Sequence, residues 1–200
     1  MSHSLLLAFV VFGAVMAFTP GPNNIMVLSS GLTYGLRRTL PHVAGIGVGV
    51  AIMVAAVGVG FGAVFIAYPV LQTILKYAGA AYLIYLAVVI AMAAPPAPGQ
   101  DKSRGPMTFW GAVLFQWVNV KGWVMVIGSI TAYGAIAGFP WNISIQSAVM
   151  LVFGFLSSLV WALAGSSLQP LLTSPRLVRA FNIAMAGLLL ASLYPVFVDA

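Results

Sequence analysis

One lysine stands in the middle of an apolar stretch of this chain, with two carboxamides close by. In "FQWVNVKGW", Gln116, Asn119 and Lys121 interrupt an apolar run over residues 108–135, and Lys121 falls at its midpoint. An ammonium group donates three hydrogen bonds and accepts none. The whole chain has only two acidic residues, and neither falls in an apolar run. The partners of Lys121 must therefore be carbonyls, carboxamides, water, a bound anion, or loss of its own proton.

A second polar cluster, "FTPGPNN" at residues 18–24, interrupts the first apolar run near its middle. Pro20 and Pro22 lack the amide hydrogens that a continuous helix would donate to the carbonyls of Met16 and Phe18, and their rings crowd those carbonyls. The motif predicts two half-helices joined by an unwound link. An ordinary proline kink, satisfied by neighbouring helices, is the alternative.

The residues around the two prolines add further polar groups. Thr19 and Gly21 each precede a proline, which disfavours helical backbone at both positions, and Pro22 suits the first turn of a second half-helix. The amides of Gly21, Asn23 and Asn24 then lie near the positive end of a helix dipole, where an anionic group is stabilised. The link is therefore a candidate site for a ligand that carries a negative charge.

Composition identifies the surroundings of these clusters as a membrane. The 200 residues are 62% hydrophobic and 5% charged, with a mean hydropathy of +1.09, which is too little polar surface for a soluble domain. The eight basic residues give a pI near 10, but apart from Lys121 they lie in short gaps between apolar runs or at the ends of those runs, so nucleic acid is not an expected partner. The absence of cysteine excludes disulfides and thiolate metal sites. No metal and no cofactor is predicted.

Stretches of about 20 apolar residues predict an all-α integral membrane protein with six transmembrane helices. The spans are residues 5–32, 41–67, 74–94, 108–135, 143–168 and 177–198. The first is expected to span the membrane and not to be a cleaved signal peptide, since it lacks a basic start and continues past the prolines. We expect one transporter domain over 1–200, with halves at 1–94 and 108–200 and a linker at 95–107. Three spans per half make the halves run in opposite directions, as in a 3+3 inverted repeat.

The basic residues predict the orientation of the chain. Three loops on one side carry them in pairs: Arg37 and Arg38, Lys102 and Arg104, and Arg176 and Arg179. Cytoplasmic loops are enriched in lysine and arginine, so both termini are predicted outside the cytoplasm.

Other residues in the spans are given simpler roles. Glycines spaced by four in the second span, at positions 45, 49, 58 and 62, predict close helix packing, with a substrate path as the alternative. His42 is a candidate proton carrier, although a lone histidine near the interface is expected to be solvated. Interhelical hydrogen bonding is expected of Gln146, Ser157, Ser158 and Asn182.

Both polar clusters lie at mid-depth of the first span of their half, which is where secondary transporters bind substrate. An amino acid zwitterion fits both clusters. We predict that its carboxylate meets Lys121 and the amides of residues 21–24, and that its ammonium meets the carbonyl of Met16 or Phe18, with Trp117 as an aromatic neighbour. The alternatives are a passive channel with an anion path, a non-transporting membrane subunit, and an intramembrane enzyme. An intramembrane enzyme is disfavoured because the spans contain no pairing of a nucleophilic side chain with a general base.

At these residues the chain resembles the lysine exporter superfamily, specifically its RhtB-like (homoserine/threonine exporter) branch. The resemblance covers nearly the whole length and rests on "TPGPNNIMVLSSGLTYGLRRTLPHVAGIGVGV", "YAGAAYLIYLA" and "QWVNVKGW". The family carries Asn-Pro-Lys in its fourth span, where this chain has Asn119, Val120 and Lys121, so the sequence leaves open whether the fourth helix is broken. On a regular helix Asn119 and Lys121 would lie about 200° apart. The Asn-Val-Lys form is similar to that of cysteine and O-acetylserine exporters in this branch.

The resemblance implies a multi-pass exporter in the bacterial inner membrane, driven by the proton gradient. In that membrane the basic loops predict that both termini are periplasmic. Its substrates would be small neutral amino acids or derivatives, of the threonine/homoserine or the cysteine/O-acetylserine type. Because no span holds a carboxylate, a dibasic substrate is not expected. Proton coupling then falls to Lys121, to His42 or to the substrate itself. The expected partners are the amino acid, protons and lipid, and a homo-oligomer stays open.

Overall fold

The computed structural model describes residues 1–61, 67–92, 105–170 and 174–194, and these residues form helices, turns and no strand. The predictions for Gly62, for most of the linker and for its basic pair at 102 and 104 lie outside the described residues. The helices are α1 (His3–Phe18), α2 (Pro22–Tyr34), α3 (Leu36–Ala56), α4 (Pro69–Met92), α5 (Phe109–Phe115), α6 (Val120–Tyr133), α7 (Trp141–Leu168) and α8 (Pro175–Ala191). A π-helical turn, Val57–Phe61, extends α3, and 3-10 turns, Gln116–Val118 and Gly134–Ile136, flank α6.

The helices fall in all six stretches predicted to span the membrane. Two stretches are single helices long and apolar enough to cross a bilayer, Leu36–Gly60 and Trp141–Leu168, and two more qualify as bent pairs. Helix α4 has 24 residues and α8 has 17. Apolar side chains of α7 project outward with 40–50% of their area exposed, among them Leu151, Val152 and Val160. An outward apolar belt of this kind is what lipid covers, so the chain is an integral membrane protein.

The first span is broken where the two prolines predict. Helix α1 ends at Phe18, Gly21 is fully extended (φ −169°, ψ −178°), and α2 begins at Pro22. The two half-helices meet at an angle of 52°. Because several residues between them leave the helical conformation, the prediction of an unwound link is confirmed and the ordinary proline kink is wrong.

The fourth span is also broken, although it lacks the proline. Its two parts meet at 71°, and Asn119 between them is extended (φ −84°, ψ 101°). A tight 3-10 turn precedes the break, in which the amide of Asn119 donates to the carbonyl of Gln116 at 3.2 Å. The indole of Trp123 donates to the carbonyl of Trp117 at 2.9 Å, which satisfies a backbone oxygen that a continuous helix would have paired. Hydrogen bonds within the fourth span, one of them from a side chain, thus satisfy backbone groups at this break, where the chain has no proline.

Glycines let the central helices approach closely, as the spacing in α3 predicts. A Cβ atom on Gly45 would lie 2.4 Å from the carbonyl oxygen of Phe109, and one on Gly49 would lie 2.8 Å from Cγ of Gln116. Neither glycine lines the cleft described below. For these two positions the packing interpretation is confirmed.

The basic loops that fall within the described residues lie together at one end of the bundle. Gly35 lies beside Gln169, where an added Cβ would be 3.9 Å from its Oε1. Exposed arginines follow both positions, at 37, 38, 176 and 179. At the opposite end, the amide of Ser2 donates to the carbonyl of Ile136 at 2.8 Å. This arrangement fits the prediction that the basic loops lie on one side of the membrane and the N-terminus on the other.

Close packing of α2 on α7 yields a stability test. A Cβ on Gly165 would lie 2.0 Å from the carbonyl oxygen of Leu28, so we expect Gly165→Ala to force two backbones apart and to cost about 1–3 kcal/mol, as overpacked cores do. The measurement is the loss of monodisperse protein after heating in detergent. Gly187→Ala in α8 is the matched control, because a Cβ there meets nothing within 4 Å. Equal heat resistance of the two variants would contradict the packing.

Candidate functional site

The two broken helices meet around one polar cleft. Its empty space is about 430 Å³, including its mouth. Seven of the nine predicted site residues line it: Gly21, Pro22, Asn23, Asn24, Gln116, Asn119 and Lys121. The side chains of Thr19 and Pro20 are exposed and do not line the cleft, and the Thr19 hydroxyl donates to the carbonyl of Val15 at 2.6 Å. These two residues contribute backbone carbonyls instead.

Lys121 reaches across from the second half of the chain onto the first break. Its amine donates to the carbonyl of Thr19, and the carbonyl of Pro20 lies 3.4 Å away. Of the partners that the sequence allowed, the structure therefore supplies carbonyls. An ammonium group has three donors, so one remains for a ligand in the cleft.

Gly21 makes this contact sterically feasible. A Cβ at this position would lie 2.7 Å from Cδ and 3.1 Å from Nζ of Lys121. The extended backbone of Gly21 suits any residue, so the requirement for glycine comes from the close approach of the lysine stem and not from the dihedral angles.

Two further side chains hold the unwound link. Asn24 donates to the carbonyls of Ala17 at 3.1 Å and Thr19 at 2.9 Å, and Ser157 of α7 donates to Ala17 at 2.8 Å. An unpaired buried carbonyl costs about 1–3 kcal/mol, so these bonds stabilise the break. Within the described residues, no hydrogen-bond donor is found for the carbonyls of Met16 or Phe18. Those two oxygens are the ones that the prolines free.

A reciprocal carboxamide pair joins the two breaks. The amide of Asn23 donates to Gln116 Oε1 at 2.9 Å, and the amide of Gln116 donates back to Asn23 Oδ1 at 3.2 Å. Gln116 is fully buried and also donates to the carbonyl of Ala112 at 2.9 Å. The pair thus fixes α2 against the 3-10 turn of the fourth span.

Asn119 lines the same cleft as Lys121 because the helix is broken between α5 and α6. The separation expected on a regular helix therefore does not apply. Its amide lies 3.5 Å from Gln116 Oε1, while its Oδ1 is buried without a hydrogen-bond partner among the described residues. This oxygen is an acceptor available to a ligand.

The structure adds cleft residues that the sequence did not single out as a site. Ser157 and Ser158 are buried at mid-depth of α7 and line the cleft with Met16 and Met125. The signal was present, since two adjacent serines interrupt an apolar run, but it fits interhelical bonding equally well, and Ser157 does make such a bond. Trp117, expected near the ammonium, does not line the cleft, and its ring meets Trp123 edge-on with centroids 6.0 Å apart.

His42 lies outside the cleft, and the expectation that it is solvated is wrong. It is only 1% exposed, and neither ring nitrogen has a hydrogen-bond partner among the described residues. The reason is that α3 begins at Leu36, so His42 lies well inside the helix, and residues 105–107 line the same cavity. Hydropathy alone cannot show that cover.

A helical membrane bundle in which two broken helices enclose a polar cleft defines a membrane translocator. The model of the LysE type translocator family matches residues 14–194, and the chain belongs to that family. The prediction of a transporter and not an enzyme is confirmed, as is the superfamily resemblance, while the RhtB-like branch stays a prediction.

Similar proteins include "Cysteine/O-acetylserine efflux protein" of Escherichia coli O139:H28 (strain E24377A / ETEC), 32% identical over 95% of this chain and 96% of the relative. Proteins of the same name from Escherichia coli (strain K12) and Shigella sonnei (strain Ss046) are 32% identical over 94% of this chain and 95% of their own. No solved structure matches this chain.

The carboxamide pair can be tested by a double-mutant cycle. Asn23→Leu or Gln116→Leu alone leaves a buried amide without its partner, so each is expected to cost about 1–3 kcal/mol. The double variant is expected to cost less than the sum, because neither amide is then left unpaired. Heat resistance in detergent is the measurement, and strictly additive losses would show that the two side chains do not stabilise each other.

Proposed function

We propose that this translocator exports a small neutral amino acid or amino acid derivative, of the kind named for its cysteine and O-acetylserine efflux relatives. The observation that carries this is the placement of Lys121 on the proline break. One cleft thereby holds a cation, a helix N-terminus and unpaired carbonyl oxygens, which suit the two charges of a zwitterion. The threonine/homoserine type remains the second substrate class.

The carboxylate of the substrate binds beside Lys121 in this proposal. Lys121 and the residues at the start of α2, Gly21 to Asn23, line the same cleft. A helix N-terminus stabilises an anion by up to about 1–2 kcal/mol when partly buried. A substrate carboxylate thus adds to the contacts of Lys121 without displacing both carbonyls that hold it.

In this proposal the ammonium of the substrate binds to oxygen acceptors that line the cleft. Asn119 Oδ1 and the carbonyl of Met16 have no donor within the described residues, and both residues line the cleft, whereas Phe18, the other residue expected from the sequence, does not. None of these is charged, and the only two acidic residues of the chain, Asp101 and Asp199, lie outside the predicted spans. A second cationic group, as in lysine, would have no counter-charge, so selectivity for a neutral side chain follows.

The lining of the cleft agrees with a small side chain. Met16, Met125 and Ile46 contribute apolar surface, and Ser158 contributes a hydroxyl. A thiol, an acetyl ester or a hydroxyl can be accommodated on such a mixed surface.

We place the chain in the bacterial inner membrane with six spans, both termini periplasmic, and the halves related as a 3+3 inverted repeat. Both halves begin with a broken helix, bent by 52° and 71°, which supports the repeat. The exposed arginines at the shared end of the bundle support a cytoplasmic location for that end. Transport is driven by protons, with Lys121 and His42 as the groups in the spans that can carry one.

The role of Lys121 can be tested with a neutral side chain of similar length. We expect Lys121→Met to insert normally and to lose export at least about tenfold, which corresponds to about 1.4 kcal/mol of lost binding. Radiolabelled amino acid efflux, normalised to the inserted protein, is the measurement. Lys102→Met removes the same charge from the predicted linker and should export normally. Normal export by Lys121→Met would refute the site.

Gradient dependence separates a carrier from a passive channel. Purified protein in liposomes is expected to accumulate O-acetylserine or cysteine against its concentration when a proton gradient is imposed, and to stop when an uncoupler collapses that gradient. The reason is that a carrier couples two fluxes, whereas a channel permits only downhill movement. Downhill flux that ignores the gradient would support the channel instead.

A further inference from the structure

A second cavity lies at the end of the bundle that carries the exposed arginines. It is lined by the last turns of α2, by His42 of α3, by the end of α4 and by residues 105–107, and its empty space is about 480 Å³ including its mouth. Hydroxyl groups of Ser29, Ser30 and Thr33 lie along its α2 wall. The cavity is separate from the cleft that holds Lys121.

Two buried polar side chains of this cavity have no partner among the described residues. His42 is 1% exposed and Thr33 is 6% exposed, yet both ring nitrogens of His42 and Oγ1 of Thr33 lack a hydrogen bond. A buried polar group without a partner costs about 1–3 kcal/mol. In a cavity such a group pairs with water or with a polar solute that enters it.

The cavity and the cleft lie end to end along the same two helices. On α2 the cleft is lined by Asn23 and the cavity by Met26, and on α3 the cleft is lined by Ile46 and the cavity by His42. Three or four residues of helix correspond to about 5–6 Å. Since Met26 and Ile46 are both buried, an apolar layer one turn thick separates the two spaces.

The charges around the cavity favour a solute with a carboxylate. The guanidinium of Arg38 lies 5.8 Å from the centre of the Tyr34 ring, and Tyr34 lines the cavity. Among the described residues, the titratable side chains placed at this cavity are His42, Tyr34 and Arg38, and no acidic residue of the chain falls within a predicted span. A positive mouth raises the local concentration of groups with negative charge.

We propose that this cavity is an entrance subsite, where the exported amino acid binds through the hydroxyls of α2 and the imidazole of His42 before it crosses the apolar layer to the cleft. The proposal rests on the proposed export function and on its orientation, because an exporter loads from the cytoplasmic end. A zwitterion suits the subsite, since hydroxyl and imidazole groups both donate and accept hydrogen bonds.

The absence of cysteine in the natural chain permits a direct test with single cysteines. We expect Thr33→Cys in inside-out vesicles to react with a membrane-impermeant thiol reagent at least about tenfold faster than Thr39→Cys, since a thiol in closed core reacts only through local opening. Thr39 is the matched control, because it is 0% exposed at the same end of the bundle and does not line the cavity. Ser30→Cys, half-buried on the same wall, is the second probe in case Thr33→Cys fails to fold.

Protection distinguishes a subsite from a merely hydrated space. O-acetylserine, which has no thiol, is expected to slow the labelling of Thr33→Cys or Ser30→Cys several-fold, and the structurally unrelated sugar sucrose is not. Labelling at the Thr39→Cys rate would overturn the cavity as an accessible site. Fast labelling that no transported amino acid slows would overturn it as a subsite.

Failure of the proposed function gives a different result. Arg38→Cys, exposed at the mouth, reports the sidedness of this end. If Arg38→Cys and Thr33→Cys both react only from the periplasmic side, the orientation is wrong, and with it an entrance subsite. If unmodified protein does not carry O-acetylserine, the cysteine/O-acetylserine type of substrate is wrong, and protection is measured with the amino acid that the flux assay identifies.

Discussion

A bilayer offers no hydrogen-bond partner to the backbone, so each break in a spanning helix must be satisfied by the protein itself. This constraint shapes the centre of the molecule. Around the first break, Asn24 and Ser157 donate to the carbonyl of Ala17, and Asn24 and Lys121 donate to the carbonyl of Thr19. The polar residues at mid-depth are thus first of all the groups that make an unwound link tolerable in lipid. Their convergence on one cleft follows from that need.

The two breaks support each other across the halves of the chain. Lys121 and Ser157, from the second half, satisfy carbonyls of the first break. Asn23, from the first half, pairs with Gln116 beside the second break, and Gly79 of α4 lies so close that an added Cβ would be 2.2 Å from the carbonyl oxygen of Val118. Neither break is held by its own half alone. The cleft is therefore a property of the assembled bundle.

A helix break caused by prolines in the segment itself could be predicted from the sequence. Features that depend on packing in the folded chain could not. The first break follows from Pro20 and Pro22, whose effects on the backbone act within a few residues. The second break has no such signal, because Val120 is compatible with a helix and the bend depends on packing and on the indole of Trp123. The burial of His42 likewise depends on residues 105–107, which are distant in sequence. The apolar stretches of the sequence predicted where the helices lie, because a run of apolar side chains is a local property of the chain.

The same few bonds that hold the cleft also limit how the halves can move. Lys121 on the first break and the Asn23 and Gln116 pair cross from one half to the other, so a rocking motion of the halves has to break or replace them. A carboxylate can replace a carbonyl as the partner of the ammonium of Lys121, and charge-assisted hydrogen bonds are roughly twice as strong as neutral ones. In the proposed mechanism, a solute without that charge leaves the lysine held by the break. Selectivity for a carboxylate and release of the two halves from each other then depend on the same contact.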